Sequence, residues 1–556
     1  MKQNNREPVF RPRIIDSLKD YNFSKFSRDV LAGLIVGLIA LPLALAFAIS
    51  SGVPPQAGLA TAIVAGFLIS ATGGSSVQIG GPTGAFVVIV FGIVHQYGIS
   101  GLAVATFMAG VILVLMGLAG FGAIIRFVPH PVTVGFTSGI ALTIFSMQIK
   151  DFLGLQIENM PAHFIPKIVA ITEALPGFRM ESLLTGLATV GIIVAWPKVS
   201  RKIPGPLVAL IVTTAVTTAF SVPVETIGSR FGEISASLKL QFNMPNLETI
   251  QSLIVPAATI AMLGAIESLL SAAIADGLTG DRHRPNTELI GQGIANMASP
   301  LFGGIPATGA IARSVTNIKS GAVSPVSGIV HAFVLFLVLL FFATYAALIP
   351  MATLAGILVI VSWNMSERHT FAAILKSPRS DVVVLLLTFF LTVLVDLTVA
   401  IQVGILLAVL FLMRRLAQTS TVTALHELSE DMPNTEKEIL QNLPSGLEVY
   451  EIDGPFFFGT ANIFQDSLRA VSKQPRVRIF RMRNVPFMDA TGIHMLEKIF
   501  TDCRKEGTTV ILSEVRPHLK RVMEKAELHL NEDNVTDNFE LALAKGRHIL
   551  AQGEYA

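Results

Sequence analysis

The sequence predicts an α-helical membrane protein of fourteen transmembrane segments, arranged as a 7+7 inverted repeat and followed by a small α/β domain. Three observations carry that prediction. Of the 556 residues 52% are hydrophobic and only 14% are charged, too few charges to cover a soluble protein of this length. The apolar residues come in blocks of about twenty, the length at which an α-helix crosses roughly 30 Å of hydrocarbon. A glycine-rich motif containing Pro and Thr occurs once in each half of the apolar region.

The blocks fall at about 30–49, 57–72, 82–96, 101–122, 131–149, 183–196, 206–220, 253–275, 288–302, 309–318, 325–346, 351–363, 381–398 and 400–413. Residues 1–29 read as a cytoplasmic N-terminal segment, 30–416 as the transmembrane domain, 417–439 as a linker, 440–550 as the α/β domain and 551–556 as a tail. Positive charge orients the chain. Residues 1–29 carry seven Lys and Arg, and the 197–205 loop holds Lys198, Arg201 and Lys202 without an acid. Both belong in the cytoplasm by the positive-inside rule. The connections at 151–182 and 221–252, where acids outnumber bases, then face outward, and Arg414-Arg415 returns the chain to the cytoplasm.

A net charge of +2 excludes bulk attraction to nucleic acid, and no secretory signal peptide is evident, because the polar first 29 residues run on into a span. The single Cys503 excludes an internal disulfide framework and suits a reducing cytoplasm. No metal-ligand cluster, nucleophile elbow or P-loop is present in the sequence, so an enzyme or an ATP-driven pump has no chemistry to stand on.

The repeat is read from Gly80-Gly81-Pro82-Thr83-Gly84-Ala85 and Gly303-Gly304-Ile305-Pro306-Ala307-Thr308-Gly309-Ala310. Each opens a short apolar segment third in its half. Two halves of seven spans, an odd number, must lie in opposite orientations, with broken helices meeting where the repeats meet. Irregular backbone in hydrocarbon is tolerated only where protein buries it or where it lines a cavity. Two half-helices starting near the midplane would bring free N–H groups and positive dipole ends to one point, which would bind an anion. The alternative is that the glycines only permit close helix packing.

Two charges stand inside the apolar segments. Arg313 lies one turn into the tenth segment, where it would either attract anions or form a structural bridge. Glu267 is the only charge between Ser252 and Ala275. A carboxyl group so placed is a natural proton carrier or cation ligand, or else a buried group bonded to a neighbouring helix. His331 reads as a satisfied core histidine, His130 as a turn residue, and Asp276, Asp396 and the Lys150-Asp151 pair as interfacial. In the tail, strand patterns at 446–452, 477–483 and 508–513 alternate with helix patterns at 461–471, 492–503 and 517–524.

The stretches ALPLALAFAISSGVPPQAGL (40–59), IGGPTGAF (79–86) and GAIESLLSAAIADGLTGDRHRPNTELIGQGIANMASPLFGGIPATGAIARS (264–314) resemble the sulfate-permease (SulP) family, relatives of the solute-carrier-26 anion exchangers. The resemblance runs over nearly the whole chain, and the tail resembles a STAS domain. It implies a UraA-like fold with a core moving past a gate like an elevator, and an anion site between half-helices 3 and 10. Thr83 and Gly84 would form one side of that site, Gly309, Ala310, Ile311 and Arg313 the other, with Leu43 and Phe47 lining it from the first span. The cation position of sodium-coupled members reads Glu267, Ser271 and Ile311 here, and loss of the hydroxyl at Ile311 argues for a proton as coupling ion. No other cofactor is implied.

MLGAIESLL (262–270), MQIKDFLGLQ (147–156) and SWNMSE (362–367) resemble a proton-linked branch that takes up dicarboxylic acids such as succinate. The resulting expectation is a proton-coupled symporter for dicarboxylate (succinate, fumarate, aspartate) in the bacterial inner membrane, with sulfate or bicarbonate as alternative substrates. An anion channel, or an anion sensor with STAS output, are rival readings of another class. In the STAS domain the phosphate-acceptor position after Asp489 is Ala490, followed by Thr491. A structural, dimerising or docking role is therefore expected, with a homodimer and a cytoplasmic protein as partners beside the lipid bilayer.

Overall fold

The computed structural model describes residues 10–123, 129–200, 203–232, 247–395, 397–424, 440, 442–460, 475–526 and 534–552. They form two compact units, Met1–Ile405 and Leu406–Ala556. The first is helical. A short helix α1 (Arg13–Ser17) precedes α2 (Phe23–Ser50) and α3 (Pro55–Thr72), after which two residues, β1 (Gly80–Gly81), are extended. There follow α4 (Gly84–Leu118), α5 (His130–Leu153), α6 (Phe164–Ala174), α7 (Met180–Ala195), α8 (Gly205–Ala219) and α9 (Ile227–Phe231).

The second half repeats the sequence of events. Helices α10 (Leu247–Thr279) and α11 (Pro285–Ala298) lead to extended residues β2 (Thr308–Gly309) and a short α12 (Ile311–Lys319). Then come α13 (Val326–Ala346), α14 (Met351–Met365), α15 (Arg368–Ile374), α16 (Arg379–Leu394) and α17 (Leu397–Thr419). Every predicted apolar segment has a helix. Eight stretches among the described residues are long and apolar enough to cross a membrane unaided. The other apolar helices, α12 among them, fall short of that length.

Two predicted segments, the third and fourth, lie in the continuous run α4. The break between them is at Gly98, whose φ of 71° and ψ of −177° leave the helical region. Only glycine takes that conformation without a steric penalty, so this residue punctuates what hydropathy alone reads as a gap. The connection expected to be an outer loop, 151–182, carries α6. Its Lys167 is buried, with Nζ 5.7 Å from the centre of the Phe91 ring of α4. Nearby, Arg230 bridges Asp151 at 2.7 Å and Glu225 at 2.5 Å, so Asp151 is ion-paired rather than a bare helix-end charge.

The second unit is a five-stranded sheet in the order β3 (Thr421–Ala424), β4 (Leu447–Asp453), β5 (Val477–Asn484), β6 (Thr509–Ser513) and β7 (Val535–Thr536). The β3–β4 pair is antiparallel and the rest parallel. Six of the seven residues of β4 are buried, because helices cover both faces of a parallel sheet. One face packs α18 (Ala490–Lys505) and α19 (Pro517–Lys525), through Leu496, Ile499 and Leu519 on Phe480 and Leu512. The other packs α20 (Phe539–Gln552), through Phe539, Ala542 and Leu543 on Val449 and Ile479. Strand β3 falls where a linker was expected at 417–439, so ordered structure begins earlier than the composition suggests. The expected helix at 461–471, Asp396, Arg201 and Lys202 lie outside the described residues.

Asp489 caps α18, accepting hydrogen bonds from Gly492 N at 2.8 Å and Phe458 N at 3.2 Å. Its carboxylate thus organises the turn that presents Ala490 and Thr491.

Candidate anion-binding site

The two glycine-rich breaks bond to each other. Strands β1 and β2 pair antiparallel, with Gly80 opposite Gly309 and Gly81 opposite Thr308. Ala310 N also donates to Ile79 O at 2.8 Å. This short ladder sets the first residues of α4 and α12 side by side. Thr83 is the N-cap of α4 and Ala310 that of α12. The first-turn N–H groups of Gly84 and Ile311, which have no carbonyl one turn back, therefore open on a common region.

Helix α10 backs this ladder through side-chain hydrogen bonds. Thr83 Oγ1 donates to Glu267 Oε2 at 3.1 Å, and Thr308 Oγ1 to Gly264 O at 2.9 Å. Gln78 Nε2 donates to Ser268 O at 3.1 Å, and Ser271 Oγ to Ser314 Oγ at 3.4 Å. Among the described residues Glu267 forms no ion pair. It lines a cavity of about 40 Å³ together with Ile311, Thr133, Thr137 and Glu367.

The predicted residues divide. Thr83, Glu267 and Ile311 meet at one place. Gly84 is covered by α5 and α14: a side-chain carbon at this position would stand 2.9 Å from Met365 Sδ and 3.3 Å from Ile144 Cδ1. Gly309 and Ala310 belong to the ladder itself. Leu43 and Phe47 sit in the large apolar cluster that also contains Ala85 and Phe86, and neither lines the cavity. Ser271 faces Ser314 instead of sharing a ligand position with Glu267.

Arg313 is 3% exposed and turned behind the ladder, where Nη2 donates to Pro82 O. Its other terminal nitrogen, Nη1, has no hydrogen-bond partner among the described residues and lies over Gly81. The guanidinium thus serves the carbonyl that the Gly-Pro break leaves free, and it is absent from the cavity that Glu267 lines. His331 is the core histidine expected, fully buried, with the Gly328 backbone beside its ring.

Sequence reading missed the groups that hold the breaks. Glu288, 1% exposed, accepts from Gly74 N at 2.7 Å, Ser75 N at 3.1 Å, Ser268 Oγ at 2.9 Å and Gln292 Nε2 at 2.8 Å. Asn296 acts as a substitute strand for Ala307, donating to its O at 2.8 Å and accepting from its N at 2.9 Å. Thr61 Oγ1 accepts from Ile305 N at 2.7 Å. Irregular backbone at this depth survives because such side chains satisfy it. The available signal was that Glu288 is the one acid in its apolar segment.

The pattern that defines the sulfate permease family matches residues 26–388, and that of the STAS domain matches residues 439–542. The chain belongs to the sulfate permease family. It is 44% identical over 519 residues to the putative sulfate transporter YvdB of Bacillus subtilis, covering 93% of this chain and 96% of that one. To the bicarbonate transporter BicA of Picosynechococcus it is 32% identical over 529 residues, 91% of this chain and 92% of that one. The solved transmembrane domain of a cyanobacterial BicA covers 70% of this chain and 98% of its own, with a TM-score of 0.61 and 32% identity. Murine Slc26a9, an anion transporter solved facing inward, shares the fold over 97% of this chain and 94% of its own, with a TM-score of 0.86 at 18% identity. This member of the sulfate permease family is accordingly a multi-pass anion transporter with a C-terminal STAS domain, and its named relatives are transporters rather than enzymes.

Proposed function

We propose that the protein is a proton-coupled symporter that carries a small divalent anion into the cell, with dicarboxylate as the preferred substrate class. The observation that carries the reading is the Thr83–Glu267 hydrogen bond, which joins a titratable carboxyl to the N-cap of the half-helix that would hold the anion. In this mechanism the N–H groups at the starts of α4 and α12 bind the anion, and Arg313 adds positive charge from behind the ladder without touching it. Glu267 takes up one proton with each anion. The loaded core then carries one fewer negative charge, which lowers the cost of moving it past apolar walls.

Sodium coupling is disfavoured by the surroundings of Glu267, because the Ile311 side chain that lines the same cavity offers no oxygen to a cation. A second reading of the substrate, sulfate or bicarbonate, draws on the names of the relatives. The reading places the chain in the bacterial plasma membrane as a homodimer with both termini in the cytoplasm, and gives the STAS domain a docking role toward a cytoplasmic protein.

Uptake of labelled succinate, sulfate and bicarbonate into proteoliposomes, under imposed pH or sodium gradients, tests the coupling ion and the substrate class. The expected result is uptake driven by inward proton flow and indifferent to sodium, with Glu267→Gln abolishing the drive while anion binding persists. Gradient-driven uptake that survives Glu267→Gln removes the coupling role, and saturable succinate uptake weaker than that of sulfate transfers the substrate class. Flux that does not saturate favours a channel. Uptake that persists on truncation after Arg415 separates transport from any STAS output, whereas a sensor whose spans only detect anions gives no uptake even from the full chain.

A further inference from the structure

The cavity beside Glu267 has a second carboxyl group at its rim. Glu367, the last residue of SWNMSE, lies between α14 and α15 and lines the same space, with Thr133 and Thr137 of α5 and Ile401 of α17 between. Glu267 and Ile311 belong to helices of the broken-helix assembly, whereas Thr133, Thr137 and Ile401 lie on other helices and Glu367 in the turn between α14 and α15. The two carboxyl groups differ in access, since Glu267 is half-buried and Glu367 is exposed.

Glu367 is also held at φ 41°, a backbone region that residues with side chains rarely adopt. That conformation makes it the N-cap of α15 and fixes the direction in which its side chain leaves the chain. A cavity of about 40 Å³ exceeds the 10–15 Å³ or so needed for one water, and the Thr133, Thr137, Glu267 and Glu367 side chains in its otherwise apolar lining supply partners for it.

The geometry points to Glu367 as the relay through which the proton on Glu267 leaves for the cytoplasm. This rests on the proposed proton coupling and membrane orientation, and adds the proton's route. The O–H bond of protonated Glu267 breaks toward a cavity water, and that water passes a proton to the Glu367 carboxylate. Glu367 then releases its proton to bulk water, so one proton crosses and no group is consumed.

Other charged or titratable groups on the surrounding elements do not line the cavity. Arg313 is turned to Pro82 O, and the Arg368 guanidinium stacks 4.4 Å above the Trp363 ring. Asp276, farther along α10, is bonded by His283. His130 at the start of α5 and His369 in α15 are exposed and lie outside the lining.

Proteoliposomes carrying Glu367→Gln, Glu367→Asp or the unaltered protein separate the possibilities, with labelled succinate and labelled sulfate as probes. Net uptake driven by a pH gradient requires the proton to leave Glu267. Counterflow at equal pH does not, because the loaded carrier can exchange one anion for another with its proton in place. The expected result for Glu367→Gln is a fall of about tenfold or more in driven uptake with counterflow unchanged, and partial recovery in Glu367→Asp. Equal loss of both activities assigns Glu367 a structural role and overturns the relay, as does wild-type driven uptake in Glu367→Gln. If the unaltered protein ignores the pH gradient, proton coupling itself fails and the relay with it, an outcome told apart by the first control.

Discussion

The Thr83 hydroxyl donates to Glu267 across 3.1 Å, so the cap of one half-helix and the carboxyl group of α10 share a single bond. A hydrogen bond to a charged partner contributes on the order of 1.5–3 kcal/mol. Thr83→Val should therefore slow coupled uptake by about ten- to a hundredfold, whereas Thr83→Ser should keep most of it. Initial rates in proteoliposomes at matched protein density check this, and a Val variant as fast as Ser would remove the bond from the mechanism.

Gly309 has no room for a side chain. A Cβ there would fall 1.4 Å from Gln78 Nε2, the group that donates to Ser268 O. Gly309→Ala should expel the Gln78 side chain and lose most transport. Adding Gln78→Ala clears the overlap, so the double variant should lose less than the two single losses combined. Strict additivity of the two would mean that they do not interact.

Glu288 stabilises the fold rather than the transport step. Glu288→Gln turns one acceptor into a donor facing donors and should cost about 1.5–3 kcal/mol or more, since several bonds are disturbed. A lower melting temperature in detergent, with unchanged apparent affinity in the molecules that remain folded, is the expected pair of results.

Lys167 predicts a dependence on alkaline pH. Burial lowers its amine to about 8, against roughly 10.4 in an unfolded chain. Between those values the unfolded state binds the extra proton, so stability rises as pH climbs from about 8 toward 10. Melting curves across that range should show the rise in the unaltered protein. Lys167→Met should start higher at pH 7 and lack this contribution to the slope.

Much of the fold was legible because hydrophobic length leaves little choice in a bilayer: each predicted apolar segment has its helix, and the two breaks stand at the motifs that announced them. The site was legible in part. Glu267 stood out as a lone charge, and Thr83 and Ile311 followed from the half-helix starts. Arg313 was found but misdirected, because sequence position gives depth in a helix and not the direction a long side chain takes. Glu288 was hidden by its place in the first turn of α11, where an acid is ordinary. Met365 and Glu367 lie far from the breaks in sequence, and only the folded chain brings them beside Gly84 and Glu267. The helix α20 and strands β3 and β7 were missed because short amphipathic pieces at the edges of a domain carry weak periodicity.

The two-residue ladder between Gly80–Gly81 and Thr308–Gly309 has a consequence for how such a protein changes over generations. Copies of an ancestral repeat are ordinarily free to diverge, each accumulating substitutions under its own constraints. Here each copy supplies half of one hydrogen-bonded seam, so a backbone change in either displaces the other. The two breaks are therefore inherited as one unit, and substitutions in 80–85 should be tolerated chiefly when matched in 307–312.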